Sequence, residues 1–205
     1  MVLVQRLAKG QDAENCKITL VTDQVSNKTS KHYYKTISQE MFKKVPQSTI
    51  KTIILDGGIF KLDTIDCRKN ITETSIFEIN SENLIIDDLT PLLLNHSLAK
   101  VANWLVSNFK KVLIRASTDL ISENDLKNLL NLSNLTINVI EKFSGKVWKN
   151  VNKKIEICSK ASLIVRVRLC TGQGRVVSQV LCTEIQSGFL ENGTQMGLKW
   201  TKMVK

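Results

Sequence analysis

The stretch "ENLIIDDLTPLLLNHSLAKVANWLVSNFKKVLIRAS", residues 82–117, most constrains what this chain can fold into. It opens on a short apolar run that ends in Asp87-Asp88. Thr90 can cap a helix, and Pro91 suits its first position, where a missing N–H costs nothing. Leu94, Leu98, Val101, Ala102, Leu105 and Phe109 then recur as one helical stripe. The unit closes on a second apolar run, "KKVLIRAS". A helix between two buried strands is a crossover, and crossovers join parallel neighbours in one sheet.

The same grammar extends both ways. "CKITLVTD" predicts a buried strand, followed by a helix from Ser30 to about Val45 on Tyr33, Tyr34, Ile37, Met41 and Phe42, stopped by Pro46. "TIKTIILDGG" predicts a second strand and "TSIFEIN" a third, shorter one. Ser122, with Asp125 three residues on, opens a helix through Leu130, and "LTINVI" follows as a strand. After residue 150 the order changes. "IEIC", "ASLIVRVRLC" and "VVSQVLCTEI" have no helix between them, and Val165, Val167 and Leu169 alternate with Arg166 and Arg168. The expectation is an α/β fold: a mainly parallel twisted sheet flanked by helices, with a C-terminal antiparallel hairpin. One domain over 1–186 is expected, and 187–205 reads as a loosely ordered basic tail.

Composition bears on partners. The 205 residues carry a formal charge of +10, unevenly spread. Residues 1–140 hold 17 basic and 15 acidic side chains, whereas 141–205 hold 12 basic and 4 acidic. A basic terminal third suggests a polyanion, with nucleic acid first, against the plainer reading of a solvated surface. No apolar run reaches the roughly 18 residues that span a bilayer. The apolar patch in "MVLVQRLAKGQD" is too short for a secretory signal, so a cytoplasmic or nuclear place is expected. Cys16, Cys67, Cys158, Cys170 and Cys182 form no CxxC and read as reduced structural thiols. With only His32 and His96 beside them, no metal site is expected.

One loop carries a trace of chemistry. A phosphate-binding loop reads GxxxxGK[ST] at a strand-to-helix turn: its glycines let backbone N–H groups wrap phosphates, its Lys balances charge, and its Ser/Thr holds magnesium. Aligning Lys28-Thr29 with the final pair puts Thr22 and Asn27 where glycines belong. Asn27 tolerates left-handed backbone, but β-branched Thr22 does not suit the first position. Asp87, some sixty residues on, stands where a magnesium-orienting acid would. The alternative is that Asp87-Asp88 only ends a strand ahead of a helix, where acids are favourable. Asn27, Lys28, Thr29 and Asp87 thus outline a degenerate nucleotide site, its shape kept and its catalysis lost. No catalytic residue and no cofactor is expected.

These segments together resemble a known family. "VLVQRLAKGQ", "KITLVTDQVSNKTSKHYYKTI", "LIIDDLTPLLLNHSLAKVANWL", "KKVLIRASTDLISENDLKNLLNLSNLTINV" and "LIVRVRLCTGQGRVVSQVLCTEI" look like the RecA-like accessory subunits of the Elongator complex, most like the fifth-subunit type. The resemblance implies a RecA-like fold and a place in a hetero-oligomeric ring with two other RecA-like subunits. It also implies service to a larger complex that modifies the wobble uridine of tRNA, with tRNA bound by the ring. Family members of this type lack intact nucleotide motifs, as Thr22 and Asn27 do here. They commonly carry a longer acidic C-terminal tail, and this chain ends instead in the basic "WTKMVK".

Arg166, Arg168 and Arg175, on and beyond the predicted hairpin, are the candidate phosphate contacts, or else a solvated strand face. Beside the ring subunit stand a divergent P-loop ATPase using Lys28, Thr29 and Asp87, a RecA-like recombination paralogue that binds DNA, and a purely structural adaptor.

Overall fold

A computed structural model of the chain describes residues 6–8, 10–11, 13, 16–24, 28–54, 64–66, 74–141, 163–170, 176–190 and 193–202. Nine strands lie in one sheet among them: β1 (Ile18–Asp23), β2 (Ile50–Ile54), β3 (Thr64–Asp66), β4 (Asn83–Ile86), β5 (Lys111–Ser117), β6 (Leu135–Glu141), β7 (Leu163–Cys170), β8 (Val176–Leu190) and β9 (Gly193–Lys202). Their spatial order is β3-β2-β4-β5-β1-β6-β7-β8-β9. Pairings from β3 across to β6 are parallel, and those from β6 to β9 are antiparallel. The parallel sheet with a C-terminal antiparallel extension therefore stands as the sequence reads it.

Helices α1 (Lys28–Met41), α2 (Thr90–Asn95), α3 (Leu98–Asn108) and α4 (Glu123–Leu132) supply the crossovers. Strands β1, β4 and β5 are buried almost throughout, because helices cover both faces. Alternate residues feed two cores. Val21, Ile85, Leu113 and Ile137 meet Tyr33, Tyr34, Ile37 and Met41 of α1 on one side. Leu20, Leu84, Ile86, Val112 and Ile114 meet Val101, Trp104 and Leu105 of α3 and Leu129 of α4 on the other. Each such fully buried aliphatic contributes about 1.5–3 kcal/mol by leaving water. A short N-terminal piece also packs on α1, where the Tyr33 hydroxyl donates to the Ala8 carbonyl. Gly10 in it has φ +78°, and a Cβ there would lie 2.6 Å from the Ile37 carbonyl oxygen.

Three local expectations are corrected. "TSIFEIN" is a 3₁₀ turn, Thr74–Glu78, and not a strand; Ile76 is the side chain it buries. The helix expected from Thr90 to Phe109 is two helices, because His96 takes extended backbone and the Ser97 hydroxyl caps α3 by accepting from the Lys100 N–H. The break turns Leu94 out of the expected stripe, and it is 77% exposed. Thr90 is not itself the cap; its N–H is satisfied by Asp88 Oδ1 at 2.9 Å. Ser122 does cap α4 as expected, accepting from the Asp125 N–H and donating to its carboxylate. Beyond residue 186, where the sequence suggests a division, β8 continues to Leu190 and pairs with β9 in register from Leu181↔Lys202 to Leu190↔Gly193. "IEIC" lies outside the described residues.

Candidate functional site: the carboxyl end of the parallel sheet

In open α/β sheets, ligands bind beyond the carboxyl ends of the strands, where the chain switches direction across the sheet. Here that place is the end of β1. The chain leaves β1 through α1 to reach β2 on one side, and later crosses from β5 through α4 to β6 on the other.

What fills this place is a buried ionic cluster. Asp23 ends β1, Asp87 and Asp88 follow β4, and Arg115 lies two residues before the end of β5. All four are at most 5% exposed. Arg115 Nε donates to Asp23 Oδ2 at 2.8 Å, and Nη1 donates to the Asp87 carbonyl at 3.1 Å. The same Nη1 lies 3.6 Å from Asp88 Oδ2. Asp88 is held from its other side as well, by the Thr90 N–H on Oδ1 and the Ser117 hydroxyl on Oδ2 at 3.4 Å. The Thr118 N–H and hydroxyl both donate to the Asp23 carbonyl, at 2.7 and 2.9 Å. One guanidinium thus ties together the ends of β1, β4 and β5.

Tyr34 closes the cluster from α1. Its hydroxyl donates to the carbonyls of Ile86, at 2.6 Å, and Leu113, at 3.1 Å. Burial pushes its ionisation well above the ordinary 10.0, and Asp87 and Asp88 add to the shift while Arg115 and the Ile86 bond oppose it.

The predicted nucleotide residues stand around this cluster. Thr22, at the first glycine position, is no loop residue: it lies within the β1 ladder, opposite Ala116 and Asn138, and is 1% exposed. The strand then runs one residue further, to Asp23, which leaves residues 24–27 to join it to α1. A loop that wraps phosphate starts before this point, with glycine and not a carboxylate at its base. Lys28 and Thr29 are the first two residues of α1, described in their backbone alone, and Asn27 lies outside the described residues. Asp87 does reach the cluster, with its N–H on the Ile53 carbonyl at 3.1 Å. Among the described residues no group of three or more His, Cys, Asp or Glu is arranged to hold a metal ion. Asp23 and Arg115 were not singled out by sequence. The signal for them was an arginine inside the apolar run "VLIRAS", which a buried parallel strand tolerates only beside an acid.

The arginines predicted for phosphate sit apart. Arg166 and Arg168 are half-buried on β7, opposite Asn138 and Thr136 of β6. Arg168 Nη1 donates to the Leu130 carbonyl in the last turn of α4, at 3.3 Å. Arg175 lies outside the described residues.

The sequence matches no protein-family model and no curated protein. Solved structures do match it in fold. The flagellar accessory protein FlaH from Methanocaldococcus jannaschii superposes with a TM-score of 0.52 at 10% identity, over 98% of this chain and 96% of that one. A KaiC-like protein from Pyrococcus horikoshii OT3 does so with a TM-score of 0.51 at 13% identity, over 91% of this chain and 95% of that one. Both have RecA-like folds, with the parallel sheet and antiparallel C-terminal strands described above. Among the described residues no helix is long and apolar enough to cross a membrane. By its fold this chain is a RecA-like α/β domain.

Proposed function

We propose that the chain is a non-catalytic RecA-like subunit of a hetero-oligomeric ring, of the kind formed by the Elongator accessory subunits. In this reading it assists tRNA binding for wobble-uridine modification. Its partners are two other RecA-like subunits and the larger tRNA-modifying complex, in the cytoplasm or nucleus.

One observation carries the non-catalytic part: Arg115 lies buried between Asp23 and Asp88 at the strand ends where a RecA-like ATPase does its chemistry. Asp88 spends its oxygens on Arg115, Ser117 and the first turn of α2. Held in this way, the Asp88 carboxylate supports packing at these strand ends. The Elongator assignment rests on the resemblance of the quoted segments, and tRNA binding on that resemblance with the basic terminal third.

A divergent ATPase is the second reading. It is favoured by Lys28 and Thr29, which open α1 directly after β1 as the last two residues of a P-loop would. A recombination paralogue that binds DNA would share the fold and differ in its company. Affinity capture from native lysate with mass spectrometry separates the three. Recovery of two RecA-like partners with a wobble-uridine modification enzyme is expected. Recovery of recombination factors would overturn the assignment, and so would capture of the chain alone with magnesium-dependent ATP binding.

A further inference from the structure

The opposite end of the sheet has the opposite charge. Lys17 precedes β1, and Lys110 precedes and Lys111 begins β5 beside it; the Val112 N–H donates to the Lys17 carbonyl at 2.7 Å. Residue for residue, Ile18 faces Val112, so Lys17 and Lys111 are neighbours across the ladder. Helix α1 delivers Lys43 and Lys44 to the same end, because Lys111 Nζ lies 5.7 Å from the centre of the Phe42 ring. Lys17, Lys43, Lys44 and Lys110 are exposed and Lys111 is half-exposed.

Among the described residues, Glu40 and Glu82 form ion pairs with two of these lysines. Glu40 lies 3.8 Å from Lys43 and Glu82 2.8 Å from Lys110, both in solvent-exposed pairs. Exposed pairs are worth little and exchange readily for another anion. Glu78 belongs to the 3₁₀ turn whose Ile76 and Phe77 pack in the core on the other side of the sheet. The C-terminal hairpin points to the same end: β7 finishes at Cys170, whose N–H donates to the Asn134 carbonyl just before β6 at 2.7 Å.

We infer that the amino end of the parallel sheet is a nucleic-acid backbone site, formed by Lys17, Lys43, Lys44, Lys110 and Lys111. The inference rests on RNA being a partner, and names the surface that meets it. Lysine acts here as a point charge with no fixed geometry, so it selects a repeating polyanion more than a shaped ligand. Of the large apolar side chains exposed among the described residues, Leu94 and Leu120 follow the carboxyl ends of β4 and β5, and Val106 lies in the last turn of α3. A lipid surface or a peptide would draw on apolar or pocket contacts, whereas these five lysines supply charge. Phosphate contacts of this sort give affinity that falls with salt and little sequence preference.

The test uses the full chain and a short fluorescent single-stranded RNA, titrated at several salt concentrations. Lys17→Gln/Lys44→Gln/Lys111→Gln is expected to weaken binding by about tenfold and to reduce the log–log salt slope by about 2. Lys35→Gln/Lys100→Gln/Lys127→Gln, which removes the same charge from the helices, should change affinity less than about twofold. Equal losses from both triples would mean bulk charge and overturn the site. So would undiminished binding by the first triple, no RNA binding by the unaltered chain, or equal affinity for poly-glutamate. None of these bears on ring assembly, which the lysate capture reads separately.

Discussion

The two ends of one parallel sheet have been put to different uses. At the carboxyl end, charge is buried: Asp23, Asp87, Asp88 and Arg115 are nearly inaccessible, and Arg115 reaches the Asp23 and Asp88 carboxylates and the Asp87 carbonyl. At the amino end, charge is exposed and of one dominant sign, with lysines at the starts of two neighbouring strands and after α1. In a nucleotide-binding α/β protein the first of these ends holds the ligand. Here an arginine inside the fold takes up the Asp23 and Asp88 carboxylates, and in the proposed reading the surface that meets an anion lies at the other end. A fold can keep its architecture and move its working surface, because strand packing constrains the middle of the sheet far more than its ends.

The sharpest way to break this comparison is at Arg115. Replacing it by Met strands buried carboxylates, and the chain should lose about 3–5 kcal/mol of stability, read by urea denaturation. Adding Asp23→Asn should recover part of that loss, since one stranded charge is then gone. If Arg115→Met were neutral, the carboxyl end would be open to solvent or ligand and the contrast would fail. Next in size is Tyr34→Phe, which removes the donor shared by Ile86 and Leu113 and should cost about 1–2 kcal/mol.

Tyrosine burial also sets a pH limit. Tyr33 and Tyr34 both ionise above the ordinary 10.0, chiefly through desolvation. Above that pH the unfolded chain releases protons that the folded chain keeps, so stability should fall as pH rises past 10.0. Either Phe variant should flatten that fall in alkaline denaturation curves. A smaller effect is expected at the α4 cap, where Ser122→Ala should cost about 1 kcal/mol. Smallest is the amino-end lysine triple, which should leave stability within about 0.5 kcal/mol while it weakens RNA binding. Charge removal would thus cost stability at one end and binding at the other.

Much of the sheet was legible because buried parallel strands announce themselves. "ITLV", "LII" and "VLI" are apolar on both faces, and the stripes between them keep helical spacing. The break at His96-Ser97 was not, since the apolar stripe runs through it unbroken and only Ser97, as a cap, marks a new start. "TSIFEIN" looks like a strand for its β-branched residues, but it makes a 3₁₀ turn that buries Ile76 beside α3. The position of Asp87 just after β4 follows from the apolar run before it. Asp23 and Arg115 are 92 residues apart and meet through the β1–β5 pairing, which no local pattern reveals. The lysine face was hidden for the same reason. Lys17, Lys44 and Lys111 are unremarkable singly and become a surface when parallel strands begin side by side.

The central proposal is that the carboxyl end of the sheet, where Arg115 joins Asp23 and Asp88, takes no nucleotide. Calorimetric titration of the full chain with ATP and magnesium tests it most directly. The account predicts no saturable heat at millimolar nucleotide and no change in Tm. Saturable, magnesium-dependent binding that is abolished by Lys28→Ala would contradict it and restore the loop before α1 as a working site.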